Sequence, residues 1–137
     1  MSISKCFCVH VYHPETGGII GSRDGIWIDH VVFDRGKQSE NGGTTYQPDV
    51  QYLNTVIREW ESNGIEFRGI FHTHAEQWPD LSGEDKLYMK KILGVMPDKR
   101  KGIYCPLVFP DQHIKVYLVK QENGVYCIIR EEIEIGE

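Results

Sequence analysis

Residues 65–85 read IEFRGIFHTHAEQWPDLSGED, and this stretch decides the fold. Residues 65–72 are rich in isoleucine and phenylalanine, which predicts a strand. Because side chains alternate along a strand, His72 and His74 project from the same face. Asp85 lies eleven residues beyond His74, in the first turn of a predicted helix. A loop of that length can bring the start of the helix back beside the end of the strand.

Two imidazoles and one carboxylate are a suitable donor set for zinc, so His72, His74 and Asp85 are the predicted metal ligands. Three protein ligands leave one position for water, which is typical of a catalytic zinc. Ser82 and Asp85 also have a simpler interpretation, because S-x-x-D is a helix N-cap box. We expect the cap to form through one lone pair of Ser82, with the hydroxyl proton directed into the site.

The rest of the chain indicates one small domain over residues 1–137. It holds 15 isoleucines and 11 valines against 6 leucines and one alanine, and β-branched residues favour strands. We therefore expect a sheet-rich domain with few helices. The predicted strands are residues 3–12, 15–21, 26–33, 65–72, 103–109, 113–120 and 124–135.

Two helices are predicted. In the first, apolar residues repeat at helical spacing from Leu53 to Trp60. Pro48 and Asp49 suit its first turn, and Asn63-Gly64 ends it. The second helix runs from about Ser82 to Val95, with Met89, Ile92, Leu93 and Met96 on its inner face. Residues 34–45 between the strands and the first helix are polar and glycine-rich, which predicts a loop.

Charge and composition exclude several partner classes. The formal net charge is −5, so we expect no nucleic-acid partner. We expect no membrane span, because no stretch approaches the ~20 apolar residues that a bilayer requires. The N-terminus shows no secretory signal, and no cysteine pair has C-x-x-C spacing. We therefore predict reduced thiols and a cytoplasmic location; the four cysteines are Cys6, Cys8, Cys105 and Cys127.

The complete pattern from His72 to Asp85 is H-x-H-x(7)-S-x-x-D. It resembles the JAMM motif of the JAB1/MPN/Mov34 metallopeptidase family, most closely the short stand-alone prokaryotic members. That family also uses a glutamate far upstream, next to a glycine-rich apolar strand. Glu15, followed by TGGIIG and 57 residues before His72, looks like this element. The resemblance extends from about residue 7 to 120.

This resemblance implies an α/β fold with a mixed, mostly antiparallel sheet flanked by helices, that is, a JAB1/MPN domain with a cytidine-deaminase-like core. His72, His74 and Asp85 correspond to its zinc ligands. Glu15 corresponds to the general base that activates the attacking water, and Ser82 to the donor that stabilises the oxyanion. The implied activity is hydrolysis of a peptide or isopeptide bond. The implied substrate is the C-terminal Gly-Gly of a ubiquitin-like or sulfur-carrier protein.

Other functions stay open at this point. Family members that keep the fold and lose the metal are non-catalytic interaction modules, and a zinc hydrolase of a small amide or cell-wall peptide is also compatible with the residues. The segment after Asp85 is short and lacks the inserted elements of ubiquitin-directed members, so linkage specificity does not carry over. The basic stretch from Lys86 to Lys101 is either a solvated face or a dock for an acidic partner. Trp78 either lines a substrate groove or pins its loop. The oligomeric state is not predicted.

Overall fold

A six-stranded sheet organises the fold in the computed structural model, which describes residues 1–4, 16–36, 48–74 and 79–136. Every neighbouring pair of its strands is antiparallel except the parallel pair β5–β6. Its strands in spatial order are β4 (His30–Asp34), β2 (Gly17–Ser22), β5 (Glu66–Thr73), β6 (Ile103–Val108), β7 (Ile114–Glu122) and β8 (Val125–Glu131). The expected mixed, mostly antiparallel sheet is confirmed.

A second, three-stranded sheet packs on one face of the large one. Its order is β3 (Trp27–Ile28), β1 (Ser2–Ser4) and β9 (Glu134–Gly136), with β1 parallel to both neighbours. One buried apolar cluster joins the two sheets, and its buried members are Ile3, Ile20, Ile28, Phe71 and Val108. Burial of each such side chain contributes about 1.5–3 kcal/mol, which holds the small sheet in place.

Two helices, α1 (Val50–Ser62) and α2 (Gly83–Gly94), cover the opposite face. Their buried residues pack against the large sheet in a single cluster that includes Leu53, Trp60, Met89, Leu93, Ile19, Ile70 and Leu107. The described part of the chain therefore has three layers: helices, large sheet and small sheet. Neither helix is both long enough and apolar enough to cross a membrane.

Gly69 allows β5 and β6 to approach closely. A Cβ atom at this position would lie 2.0 Å from the carbonyl oxygen of Tyr104, its partner in the parallel pair. Any larger residue would therefore force the two strands apart. This contact fixes β5 at the centre of the sheet, and β5 is the strand that carries His72.

The structure confirms the strand predicted over 65–72, apart from a shift of one residue, and the second helix, which runs between caps at Ser82 and Val95. It corrects the start of the first helix. Asp49 is the N-cap, and its side chain accepts a hydrogen bond from the Tyr52 N–H at 3.3 Å.

Two predicted strands are wrong because each divides between the two sheets. Residues 26–33 break at Asp29, whose N–H donates to the Gly21 carbonyl at 3.2 Å; β3 then pairs in the small sheet and β4 in the large one. Residues 124–135 divide in the same way into β8 and β9, and the Glu134 N–H donates to the Met1 carbonyl at 2.9 Å. Hydrophobic pattern alone does not show a change of partner sheet.

Several sequence predictions lie outside the described residues. These are most of the strand over 3–12, the loop from residue 37 to 45, and the side chains of Cys6, Cys8, Glu15 and Trp78. Their structural assignments stay predictions.

Candidate metal centre

Strand β5 presents both histidines at its end. His72 pairs with Gly17 of β2 on one side and with Leu107 of β6 on the other, and the residue is only 8% exposed. His72 alternates with Ile70, which packs in the helix-side cluster. The His74 N–H donates to the Val108 carbonyl at 2.9 Å, just beyond the last strand residue. Backbone hydrogen bonds therefore fix the main chain at both histidines.

The three predicted ligands converge. Within the described ranges, His72, His74 and Asp85 are the group whose donor atoms, all within 4.8 Å of one another, are placed to hold a metal ion. Each Asp85 oxygen faces one imidazole: Oδ1 lies 3.2 Å from His72 Nε2, and Oδ2 lies 3.3 Å from His74 Nε2. The two Nε2 atoms are 2.8 Å apart.

The donor atoms lie at distances close to those around a small tetrahedral ion. An ion bound at about 2.0–2.1 Å from each donor sets neighbouring donors roughly 3.3 Å apart. Each imidazole lies at about this distance from one carboxylate oxygen, but the two oxygens differ. A tetrahedral ion with one Asp85 oxygen as ligand therefore needs the carboxylate to turn and the nitrogen–nitrogen distance to open by about half an ångström.

Asp85 also belongs to the start of α2. The Ser82 N–H donates to Asp85 Oδ2 at 2.9 Å, and Ser82 Oγ accepts from the Asp85 N–H at 3.1 Å. The predicted capping box is thus confirmed. One carboxylate closes the helix and faces both imidazoles, so the helix end and the candidate centre share a residue.

The pKa of Asp85 lies well below its usual range. Burial by itself would raise this pKa. Hydrogen bonds with His72 and His74, attraction to His72 and the bond from the Ser82 N–H together outweigh that effect. The carboxyl is therefore ionised at neutral pH, the state in which it can bind a cation.

Thr16 ties β2 to the same corner. Its N–H donates to Thr73 Oγ1, and Thr73 Oγ1 donates to the Thr16 carbonyl, both at 3.2 Å. The Thr73 N–H also donates to that carbonyl at 3.0 Å. Thr73 lies between the two histidines, so the residue that follows Glu15 is fixed beside the candidate centre. Glu15 itself lies outside the described residues, and its role stays a prediction.

Two rings near the candidate centre were not predicted from the sequence. Phe109 meets His74 edge to face at 6.2 Å between centroids, and His113 stacks on Phe109 at 4.3 Å. His113 also pairs with the carboxylate of Asp111. These residues follow β6 in the turn to β7, and no motif spacing links them to His74. Only the parallel pairing of β5 with β6 brings that turn to the site.

The loop before α2 is anchored on β7. Lys115 Nζ donates to the Pro79 carbonyl at 2.9 Å, and the Tyr117 hydroxyl donates to Asp80 at 2.8 Å. Because Asp80 is two residues before Ser82, these bonds limit the positions that Ser82 and Asp85 can adopt. Lys115 and Tyr117 therefore position the candidate centre without contacting its donor atoms.

Cys105 lies buried below the site. Burial and then the nearby charge of Asp85 raise the pKa of this thiol. It therefore stays protonated and is not a nucleophile, as expected for a reduced core cysteine.

Three cations of the basic stretch have separate local contacts. Lys101 Nζ pairs with Glu66 at 2.7 Å, Lys99 donates to the Met96 carbonyl at 3.4 Å, and Lys90 lies 5.4 Å from the Tyr126 ring centroid. Binding of an acidic partner to the basic stretch stays a prediction.

None of the known family models matches this chain, and neither does any curated protein. Among solved structures, it is similar to the solution structure of protein DSY2949 from Desulfitobacterium hafniense, with a TM-score of 0.59 and 21% sequence identity. The match covers 99% of this chain and 92% of that protein. The likeness is one of fold. It supports the α/β architecture and says nothing about activity.

Proposed function

We propose that this protein is a JAMM-type, zinc-dependent hydrolase of peptide or isopeptide bonds. The observation that carries the proposal is the convergence of His72, His74 and Asp85, whose donor atoms all lie within 4.8 Å of one another. Ser82 adjoins this group through the capping box. The order and spacing of these four residues follow H-x-H-x(7)-S-x-x-D.

Two neutral imidazoles and one carboxylate fit zinc by donor chemistry. Zinc, when bound, supplies a Lewis acid that lowers the pKa of water from about 15.7 to about 7. Asp85 contributes a negative charge at neutral pH because its pKa is lowered. Its bond from the Ser82 N–H fixes the carboxylate, and such outer contacts commonly orient metal ligands.

Ser82 and Glu15 are the proposed catalytic residues. The Ser82 hydroxyl accepts a hydrogen bond from the Asp85 N–H and keeps its own proton, which it can donate to a developing oxyanion. A carboxylate at Glu15 can take a proton from the attacking water and return it to the leaving amine. The anchoring of Thr16 on Thr73 supports this role for Glu15.

We further propose, from the resemblance of the motif, that the scissile bond follows the C-terminal Gly-Gly of a ubiquitin-like or sulfur-carrier protein. We also propose a cytoplasmic location, because substrates of this kind and reduced thiols are typical of the cytoplasm. The net charge of −5 supports a protein substrate over a nucleic acid.

The decisive experiment measures bound metal and hydrolysis in the same preparations. Wild type should bind one zinc per chain and cleave a ubiquitin-like protein fused through its Gly-Gly terminus. The double variant His72→Ala, His74→Ala should lose both properties. His30→Ala is the matched control, since His30 is half-buried on β4 and contacts Asp29 and Trp60 instead; it should keep both.

Stoichiometric zinc in the double histidine variant would refute the metal assignment. If the protein binds zinc and cleaves small amides or cell-wall peptides but not the fusion, the proposed substrate class is wrong and the metal assignment stands. Stable folding with neither metal nor hydrolysis in the wild type would instead identify a non-catalytic module.

A further inference from the structure

Strand β8 is the last strand of the large sheet among the described residues. Within the described part of the chain, β7 is its one sheet partner. Four of its apolar side chains are substantially exposed, and they lie on both faces: Val125 (60%), Tyr126 (39%), Ile128 (37%) and Ile129 (39%). Natural edges usually carry charged residues, proline or a bulge. In β8, charge is confined to Arg130 and Glu131 at the end of the strand, and the residues from Val125 to Ile129 have none of these features, so this part of the edge suits pairing with another strand.

The turn before β8 determines which backbone groups face outward. Asn123 and Gly124 form the two-residue connection from β7, with φ of 52° and 79°. Positive φ at both positions is typical of a type I′ hairpin, whose flanking pair, here Glu122 and Val125, is hydrogen bonded. Since bonding alternates along an antiparallel strand, the N–H and C=O groups of Tyr126, Ile128 and Arg130 point away from β7.

We propose that β8 pairs antiparallel with β8 of a second copy of this chain, about a two-fold axis at Ile128. In this register every outward-facing residue meets another one. Ile128 meets its own equivalent, and Tyr126 meets Arg130 of the second copy. The two large sheets then form one continuous sheet, and both metal centres stay on its helix-covered face.

The side chains of β8 are complementary to one another in this register. A guanidinium opposite an aromatic ring is a favourable pair, and Arg130 already lies 5.6 Å from the centroid of Tyr117 within one chain. On the other face, Cys127 meets Ile129 and Val125 meets Glu131, so no two like charges face each other. A register centred on Cys127 would set Arg130 against Gly124 in the turn and lose backbone pairs. The strand is thus self-complementary, which favours a second copy as its partner.

The oligomeric state tests the proposal independently of the metal centre. Pairing of one seven-residue strand is small for a protein interface, so the dimer should depend on concentration. In sedimentation equilibrium, the mass should rise from 15.8 kDa towards twice that value between low micromolar and submillimolar protein.

Ile128→Lys should weaken this dimer by at least about tenfold, because two ammonium groups would meet at the axis. The monomer should keep its thermal midpoint, because Ile128 is already partly exposed. Ile26→Lys is the matched control. Ile26 is 68% exposed in the bend before β3, away from β8, and its variant should dimerise like wild type.

A cysteine pair tests the register. Ile129→Cys would place a thiol opposite Cys127 of the second copy, at a pair with Cα atoms about 4.5 Å apart, which a disulfide can span. Oxidised glutathione should accept the two electrons and two protons and yield a covalent dimer. Adding Cys127→Ser should abolish it. Three results would each overturn the proposal. The protein could be a monomer at every concentration, the dimer could be unaffected by Ile128→Lys, or oxidation could link Cys127 to Cys127 of the second copy.

Discussion

The variant Asp85→Asn separates the two roles of one carboxylate. Asparagine keeps an oxygen that can accept the Ser82 N–H, which wild type donates at 2.9 Å. It loses the negative charge that faces the imidazoles of His72 and His74 at 3.2 and 3.3 Å. Helix α2 should therefore start at the same residue, while metal binding should fail.

The size of each effect follows from the contacts. A neutral hydrogen bond contributes about 0.5–1.5 kcal/mol and one to a charged group about 1.5–3 kcal/mol. Counted for the Ser82 bond alone, the free energy of unfolding of the variant without metal should thus fall by about 1–2 kcal/mol. For 137 residues, at about 2.1 cal/mol/K each, this lowers the thermal midpoint by roughly 3–7 °C. Zinc at one hundred times Kd should raise the free energy of unfolding of the wild type by about 2.7 kcal/mol and its thermal midpoint by roughly 9 °C, and should have no such effect on the variant.

Thermal unfolding with a chelator and with added zinc measures both quantities. Asp49→Asn is the matched control, because Asp49 caps α1 by accepting the Tyr52 N–H at 3.3 Å and belongs to no predicted metal site. It should keep the increase of roughly 9 °C on zinc addition. A full zinc response in Asp85→Asn would refute the assignment of Asp85 as a ligand.

Three further predictions concern the same centre. Glu15→Gln should keep zinc and the fold but lose turnover, because an amide cannot accept the proton; near-wild-type hydrolysis would exclude Glu15 as the base. Ser82→Ala should cost about 0.5–2 kcal/mol of stability and about 10²–10³ in kcat, whereas Ser82→Asp should keep the cap and lose activity; an active Asp variant would reduce Ser82 to a cap. Because imidazole and carboxylate ligands must be deprotonated to bind zinc, acidification should release the ion. Dialysis followed by metal analysis checks this last point, and retention of zinc at pH 4 would contradict it.

The parts of the fold that depend on local pattern were predictable. The shared face of His72 and His74 follows from the two-residue period of a strand. The capping box of Ser82 and Asp85 follows from side-chain chemistry within one turn. Each of these features is encoded within a few neighbouring residues, so a single sequence contains enough information to predict it.

Features that depend on contacts between distant parts of the chain could not be predicted from the sequence. The small sheet joins residues 2–4, 27–28 and 134–136 through parallel pairs of two or three residues each. Such short strands carry too little periodicity to reveal a partner more than a hundred residues away. The contact of His74 with Phe109 depends in the same way on which strand lies beside β5. Topology, rather than composition, placed these residues.

Local stability is uneven across the candidate centre. His72 lies in β5, which is paired on both sides, so exposure of its backbone requires disruption of the sheet interior. Asp85 lies in the first turn of a helix whose cap residue, Ser82, is exposed to solvent, and helix ends fray at low energetic cost. The capping box and the bonds from β7 to Pro79 and Asp80 hold this end closed. An ion bound between His72 and Asp85 would therefore connect a rigid strand to a helix end that opens only when these contacts break. The rates of metal capture and release would then be governed by the opening of that helix end, while the strand stays in place.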